Sequence, residues 1–242
     1  RWVKQLSAKE SGAAVQAGAP GAPGAPAAVG TSADAGAGEF QSAPILRTPT
    51  SGRQLILAGQ RSGTVYALDP DRAGEILWQR KLADGKAAGG IEWGAAADHH
   101  NLYAALSGLT ADPSDTSGSL TAIDLNTGAL RWQTLAPSTM CAWGAQACSH
   151  AQAQAVTVIP GVAFSGSMDG HLRAYSTIDG KILWDYETAK DFATVNGVHA
   201  SGGSLDQGGA IIVNGVLYVN SGYGQRAGQP GNVLLAFSVD GK

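Results

Sequence analysis

One pattern recurs along this chain and limits what it can fold into. Residues 63–82 read GTVYALDPDRAGEILWQRKL, residues 118–135 read GSLTAIDLNTGALRWQTL, and residues 170–186 read GHLRAYSTIDGKILWDY. Each copy opens on a glycine (Gly63, Gly118, Gly170) and runs through alternating apolar positions to an alanine (Ala67, Ala122, Ala174). A polar turn ending in glycine follows (Gly74, Gly128, Gly180), and then a tryptophan (Trp78, Trp132, Trp184). The tryptophans lie 54 residues (78 to 132) and 52 residues (132 to 184) apart. A fourth copy starts at Gly231 as GNVLLAFSVDGK, and Arg1-Trp2-Val3 reads like the end of a preceding copy.

Alternation punctuated by Gly, Asn and Asp predicts about four short strands per period. In the second unit they are expected near 91–97, 102–106, 119–124 and 130–135. The Ala-rich stretch 151–156 runs straight into Val-Thr-Val-Ile and is read as a strand too. Four strands in about 50 residues is the size of a propeller blade, so the fold class is all-β, a β-propeller of about four blades. The 34 glycines and 10 prolines supply the turns, and a hydrophobic fraction of 44% supplies the core. Residues 11–38 are nearly all small residues, Pro and Gly. They cannot bury enough apolar surface to offset their ordering entropy, and are expected to form a flexible insertion within a domain spanning 1–242.

Several function classes are disfavoured. Charged residues are only 14%, the net charge is −3, and no Lys/Arg cluster marks a nucleic-acid partner. No apolar run is long enough for a transmembrane helix. The five histidines form no metal pattern, and His99-His100 fall in an expected hairpin turn. No phosphate loop, dinucleotide fingerprint or nucleophile elbow appears in a strand-to-helix context.

The stretch Ala122-Ile-Asp124-Leu-Asn-Thr-Gly128-Ala-Leu-Arg-Trp132 resembles the tryptophan-docking repeat of quinoprotein propellers, with Ser176 replacing the Asp in the third copy. Such propellers have eight blades, so the resemblance implies a partial domain that does not close into a ring by itself. The segments 89–94 (GGIEWG), 195–197 (VNG), 202–206 (GGSLD) and 219–224 (VNSGYG), with the spaced pair Cys141 and Cys148, resemble the polyvinyl-alcohol-dehydrogenase-like branch. That implies part of a periplasmic or secreted bacterial alcohol dehydrogenase dependent on pyrroloquinoline quinone and Ca²⁺. It would oxidise secondary or polymeric alcohols and pass electrons to cytochrome c, the fragment alone being inactive. Haem c would lie outside this chain, which lacks Cys-x-x-Cys-His. Similar repeats occur in a non-catalytic outer-membrane assembly lipoprotein, so a protein-binding scaffold is the alternative.

Aligning the second strands at Leu102, Val162 and Val216 places Glu92, Gln152 and Asp206 ten residues before each, with Gln41 in a similar place in the first unit. Equivalent positions on successive blades converge, so these residues are candidates for one polar site. Glu92 and Asn196 are the oxygen ligand types a hard cation takes. Asp206 is the candidate general base, set beside Gly202-Gly203, which would let backbone approach a ligand. Gln152, Trp93 and Trp143 are candidate contacts for a planar quinone. Period-two alternation points Trp93 away from the face Glu92 uses. The only two cysteines, Cys141 and Cys148, read as a disulfide stapling a loop of an exported protein.

Overall fold

A computed structural model describes residues 1–6, 38–82, 90–108, 118–137, 141–144, 148–225 and 228–240. Almost all of the expected insertion at 11–38 lies outside the described residues. The first blade is a meander of β1 (Ile45–Arg47), β2 (Leu55–Gly59), β3 (Thr64–Asp69) and β4 (Glu75–Lys81). The second holds β5 (Ala96–Ala97), β6 (Asn101–Leu106), β7 (Ser119–Asp124) and β8 (Leu130–Leu135). The third holds β9 (Thr157–Ile159), β10 (Val162–Gly166), β11 (His171–Ser176) and β12 (Ile182–Glu187). A hairpin of β13 (Asp191–Phe192) and β14 (Ala200–Ser201) precedes a three-stranded fourth blade: β15 (Ile211–Val213), β16 (Val216–Ser221) and β17 (Val233–Ser238).

The first strand of each blade is shorter than expected. Residues 91–95 and 151–156 form no ladder, so the expected strand over 151–156 is corrected: β9 starts only at Thr157. Some of their backbone groups reach neighbouring blades instead, Ile91 N–H to the Gln60 carbonyl, Ala155 N–H to the Gln207 carbonyl and Val156 N–H to the Gly94 carbonyl, which makes these segments joints of the fold.

The repeat now has a physical meaning. In each complete blade the alanine pairs across the sheet with the tryptophan: Ala67 with Trp78, Ala122 with Trp132, Ala174 with Trp184. A small side chain there leaves room for the indole, and a bulge follows at the same place each time. The indole then docks on the turn of the next blade. Trp78 Nε1 donates to the Leu125 carbonyl at 2.9 Å and Trp132 Nε1 to the Thr177 carbonyl at 3.1 Å. Trp2 does the same on the first blade, donating to the Pro70 carbonyl at 3.2 Å. Asp69 and Asp124 cap these turns through two backbone N–H groups each; Ser176 replaces them with one, from Ile178. Arg53 and Arg131 pair with the two aspartates.

Apolar side chains fill the spaces between blades. Leu57, Ile91, Leu102 and Ile123 join the first to the second; Tyr103, Leu120, Trp132 and Tyr175 join the second to the third. Leu172, Leu205, Leu217 and Leu235 join the third to the fourth. Strands β7 and β11, in blades with a neighbour on either side, are therefore covered on both faces.

The turn glycine is required twice over. Gly128 has φ of +68°, and a Cβ there would stand 2.7 Å from the Trp78 ring. Gly128→Ala should lower stability by about 1–3 kcal/mol, from left-handed strain and displacement of a rigid indole. Urea unfolding followed by tryptophan fluorescence measures this; a change within a few tenths of a kcal/mol would show the docking contact to be slack.

Candidate functional site

The buried polar side chains are not spread evenly. Strands β2, β6, β10 and β16 all end, and β3, β7, β11 and β17 all begin, at one end of the blades. The blade-to-blade connections run across that same end. Of the buried polar side chains among the described residues, only Asp69 and Asp124 lie at the other end. Glu92, Ser107, His150, Gln152, Gln154, Ser167, Asp169, Arg173, Ser204 and Asp206 are all buried at or close to the connection end. Burying polar groups costs free energy unless each finds a partner, so their concentration marks a built region.

The connecting segments interlock there. Ile91 N–H donates to the Gln60 carbonyl at 3.4 Å, and Leu205 N–H to the Ser167 carbonyl at 3.1 Å. Each acceptor follows the second strand of the preceding blade, so Ile91 and Leu205 are equivalent, and Glu92 and Asp206 after them are equivalent too. The segment after Gln152 lies between the other two: Val156 N–H donates to the Gly94 carbonyl at 3.1 Å and Ala155 N–H to the Gln207 carbonyl at 2.9 Å. Three successive connections are thus tied edge to edge. Glu92 is 2% exposed, and Gln152 and Asp206 are sealed as fully.

The remaining sequence candidates fall elsewhere. Asp206 Oδ1 accepts the Gln207 N–H at 2.7 Å. Gln152 is held at both ends of its amide, donating from Nε2 to Tyr175 Oη and accepting from Ser165 Oγ, each at 3.0 Å. Burial pushes the Tyr175 phenol up to about 12, so it stays protonated. Trp93 is 39% exposed beside buried Glu92, in a segment that is not a strand and where Ile91 is buried as well. Asn196 sits in the exposed turn of the β13–β14 hairpin, where its Oδ1 accepts from Thr194 Oγ1 at 2.6 Å and from the Val198 N–H at 3.4 Å. It is not buried with Glu92. Gln41 is exposed as well. The close approach allowed by Gly202 and Gly203 is to protein, not to a ligand: added Cβ atoms would meet the Thr188 carbonyl oxygen at 1.8 Å and the Gln229 carbonyl oxygen at 2.2 Å. Cys141 and Cys148 form a disulfide, both sulfurs buried, in the loop that leads to His150; Trp143 lies half-buried inside that loop. His99-His100 occupy the exposed turn between β5 and β6.

Sequence reasoning missed the largest polar cluster. Arg173 is fully buried, with Nη2 2.8 Å from Asp169 Oδ2, Nε 3.0 Å from Asp185 Oδ2, and Nη1 donating to Ser167 Oγ at 2.7 Å. His171 Nδ1 meets Asp185 at 2.7 Å, and His150 Nδ1 stands 3.8 Å from Asp169. Burial pushes the Asp169 carboxyl up, but the nearby His150 ring, the Arg173 guanidinium charge and hydrogen bonds from Arg173 and Ser167 outweigh it. They hold the group well below the usual carboxylate range. The available signal was a cation inside an apolar run, Leu172-Arg173-Ala174-Tyr175. This cluster ties the connection carrying His150 to the β10–β11 turn.

Blades of four antiparallel strands, tryptophans docked from one blade to the next, and carboxylates buried where the connections meet define a quinoprotein-type propeller domain. The model of the family described as outer membrane protein assembly factor BamB matches residues 61–233, and the chain belongs to that family. It is 43% identical to a polyvinylalcohol dehydrogenase of Pseudomonas sp over 251 aligned positions, which cover 100% of this chain and 38% of that protein. It is 45% identical to a polyvinylalcohol dehydrogenase of Sphingopyxis sp. (strain 113P3), over 83% of this chain and 33% of that protein. The chain therefore spans between about a third and two fifths of the length of these relatives. Among solved structures, a quinohemoprotein alcohol dehydrogenase from Comamonas testosteroni aligns over 84% of this chain and 34% of its own, with a TM-score of 0.59 at 13% identity. BamB from Moraxella catarrhalis aligns over 84% of this chain and 48% of its own, with a TM-score of 0.52 at 20% identity. At such identities the two structures establish the fold alone. No described helix is long and apolar enough to cross a membrane.

Proposed function

We propose that this chain supplies part of the quinone-binding propeller of a bacterial alcohol dehydrogenase acting on secondary or polymeric alcohols. The observation that carries this reading is the pair of buried carboxylates, Glu92 and Asp206, at equivalent positions in interlocked connections. Sealed carboxylates cost several kcal/mol each unless a cation, proton or donor offsets them, and these two recur at the same place in different connections rather than capping a turn. The identity to two polyvinylalcohol dehydrogenases supports it.

The residues present fit a quinone held with Ca²⁺. Carboxylate oxygens suit a hard cation, and Glu92 is the chain's buried candidate ligand. Asn196 would have to leave Thr194 to join it. Pyrroloquinoline quinone, when bound, supplies the hydride acceptor. Asp206 takes the proton of the alcohol hydroxyl, its position fixed through the Leu205 N–H on the Ser167 carbonyl. Gln152, anchored by Ser165 and Tyr175, keeps one amide hydrogen and one oxygen lone pair for the ligand. Trp93 and Trp143, each with ring surface accessible, are the aromatic contacts in this reading. The Cys141–Cys148 bridge is consistent with an oxidising compartment, and we place the protein in the periplasm or outside the cell, with cytochrome c as electron acceptor.

The rival is a non-catalytic, protein-binding propeller, favoured by the description of the family. Reconstituting the full-length protein with pyrroloquinoline quinone and Ca²⁺ separates the two. Dye reduction driven by poly(vinyl alcohol) or a secondary alcohol, and lost on chelation, is expected. Failure to retain the quinone would leave the scaffold standing.

A further inference from the structure

Among the polar residues gathered at the connection end, Gln154 stands apart. It is 1% exposed, and neither its Nε2 nor its Oε1 has a hydrogen-bond partner. Ser107 and Thr121 also bury an unbonded hydroxyl oxygen, but a hydroxyl can turn about its bond to find an acceptor. A planar amide has no such freedom: its donors and its acceptor are fixed on opposite sides. Leaving both unmet is the more costly arrangement, and one that calls for explanation.

The position is also unusual within the repeat. Eight residues before the second strand, the neighbouring connections have Gly94 and Gly208, whereas the third blade has Gln154. Its backbone belongs to the segment tied to Gly94 on one side and Gln207 on the other. The amide lies against glycine: a Cβ on Gly166 would meet Oε1 at 2.2 Å, and that same point is 2.8 Å from the Leu205 Cβ. Gly166 therefore makes the space the amide occupies, and Leu205, the residue before Asp206, walls it.

We infer that Gln154 is a binding residue of the connection-end site, its amide pairing with a ligand that offers an acceptor and a cation or N–H side by side. Resting on the quinone reading above, that ligand is a planar quinone carrying carbonyls and carboxylates, with its chelated cation. Nε2–H donates to a carbonyl or carboxylate oxygen, and Oε1 faces the cation or a ring N–H. A cation alone would satisfy Oε1 and leave both N–H groups unmet, whereas a simple anion would do the reverse. The paired chemistry is what selects the ligand class.

The test uses the full-length protein, pyrroloquinoline quinone and Ca²⁺, with quinone affinity read by equilibrium dialysis and thermal unfolding read with and without quinone. Gln154→Met is similar in size and apolar. It should weaken quinone affinity about tenfold or more, the scale of lost hydrogen bonds to a ligand, while the quinone-free protein melts at the same temperature or higher. Gln154→Glu keeps the shape and an oxygen but removes the donor, and should also weaken quinone binding; it holds the test open should the Met variant fail to fold. Wild-type quinone affinity in either folded variant would overturn the role of Gln154 and leave the quinone reading intact. Quinone binding absent from the wild type overturns both.

Discussion

Arg173→Met should cost the protein about 3–5 kcal/mol, the usual penalty for removing one partner of a buried ion pair. The reason lies in what stays behind. Asp169 is fully buried and loses its guanidinium partner, and Ser167 loses a donor. Urea unfolding measures the loss. Arg173→Met combined with Asp169→Asn should recover a good part of it, because the stranded charge is then gone. The pH dependence has a definite sign. The folded-state pKa of Asp169 is depressed, so its contribution is present above the unfolded value of about 3.9 and is lost as pH falls below it. In Arg173→Met the Asp169 carboxyl is expected to rise, so the stability it loses on acidification shrinks and the deficit of the variant relative to wild type narrows as pH falls. A single variant within 1 kcal/mol of wild type, with an unchanged acid limb, would mean that the third blade does not depend on this cluster.

In the full-length protein, Asp206→Asn should slow alcohol oxidation by roughly two to four decades, the range expected for loss of a general base. The substitution is nearly isosteric, and Oδ1 can still accept the Gln207 N–H, so fold and quinone retention should survive. Thermal unfolding and quinone content establish that before turnover is compared. Retained quinone with near-normal turnover removes Asp206 as the base. Loss of quinone together with turnover reassigns the residue to binding. Either result is informative because Asp206 is sealed from solvent and tied, through Leu205, to the preceding blade.

The repeat was legible because docking is a local matter. An alanine opposite each tryptophan, a turn glycine under the next blade's neighbour, and an acidic or hydroxyl cap are fixed by cross-strand distance and backbone conformation. Those constraints recur at a nearly fixed spacing, so the sequence alone gives the blade and its strand order. A register counted from the second strand also aligns Glu92, Gln152 and Asp206 without knowledge of the neighbours. The Cys141–Cys148 pairing follows from there being only two cysteines.

Other features required the tertiary structure. Alternation distinguishes a wet face from a dry one, but stacked blades bury both faces of β7 and β11. Arg173 therefore looks in sequence like a surface cation, yet it is fully buried among Ser167, Asp169 and Asp185. Asn196 and Glu92 are the same ligand type on paper. The hairpin after the third blade leaves one in solvent while the joint between blades encloses the other. Stretch 151–156 has the composition of a strand, yet it forms no ladder, and the Ala155 and Val156 N–H groups are drawn to Gln207 and Gly94 on two neighbouring connections. Gln154 belongs with these: nothing in its local sequence shows that Gly166 and Leu205 would enclose it. Local geometry repeats and can be counted along the chain, whereas burial is set by which blade comes to rest against which, and that is decided only when the blades pack.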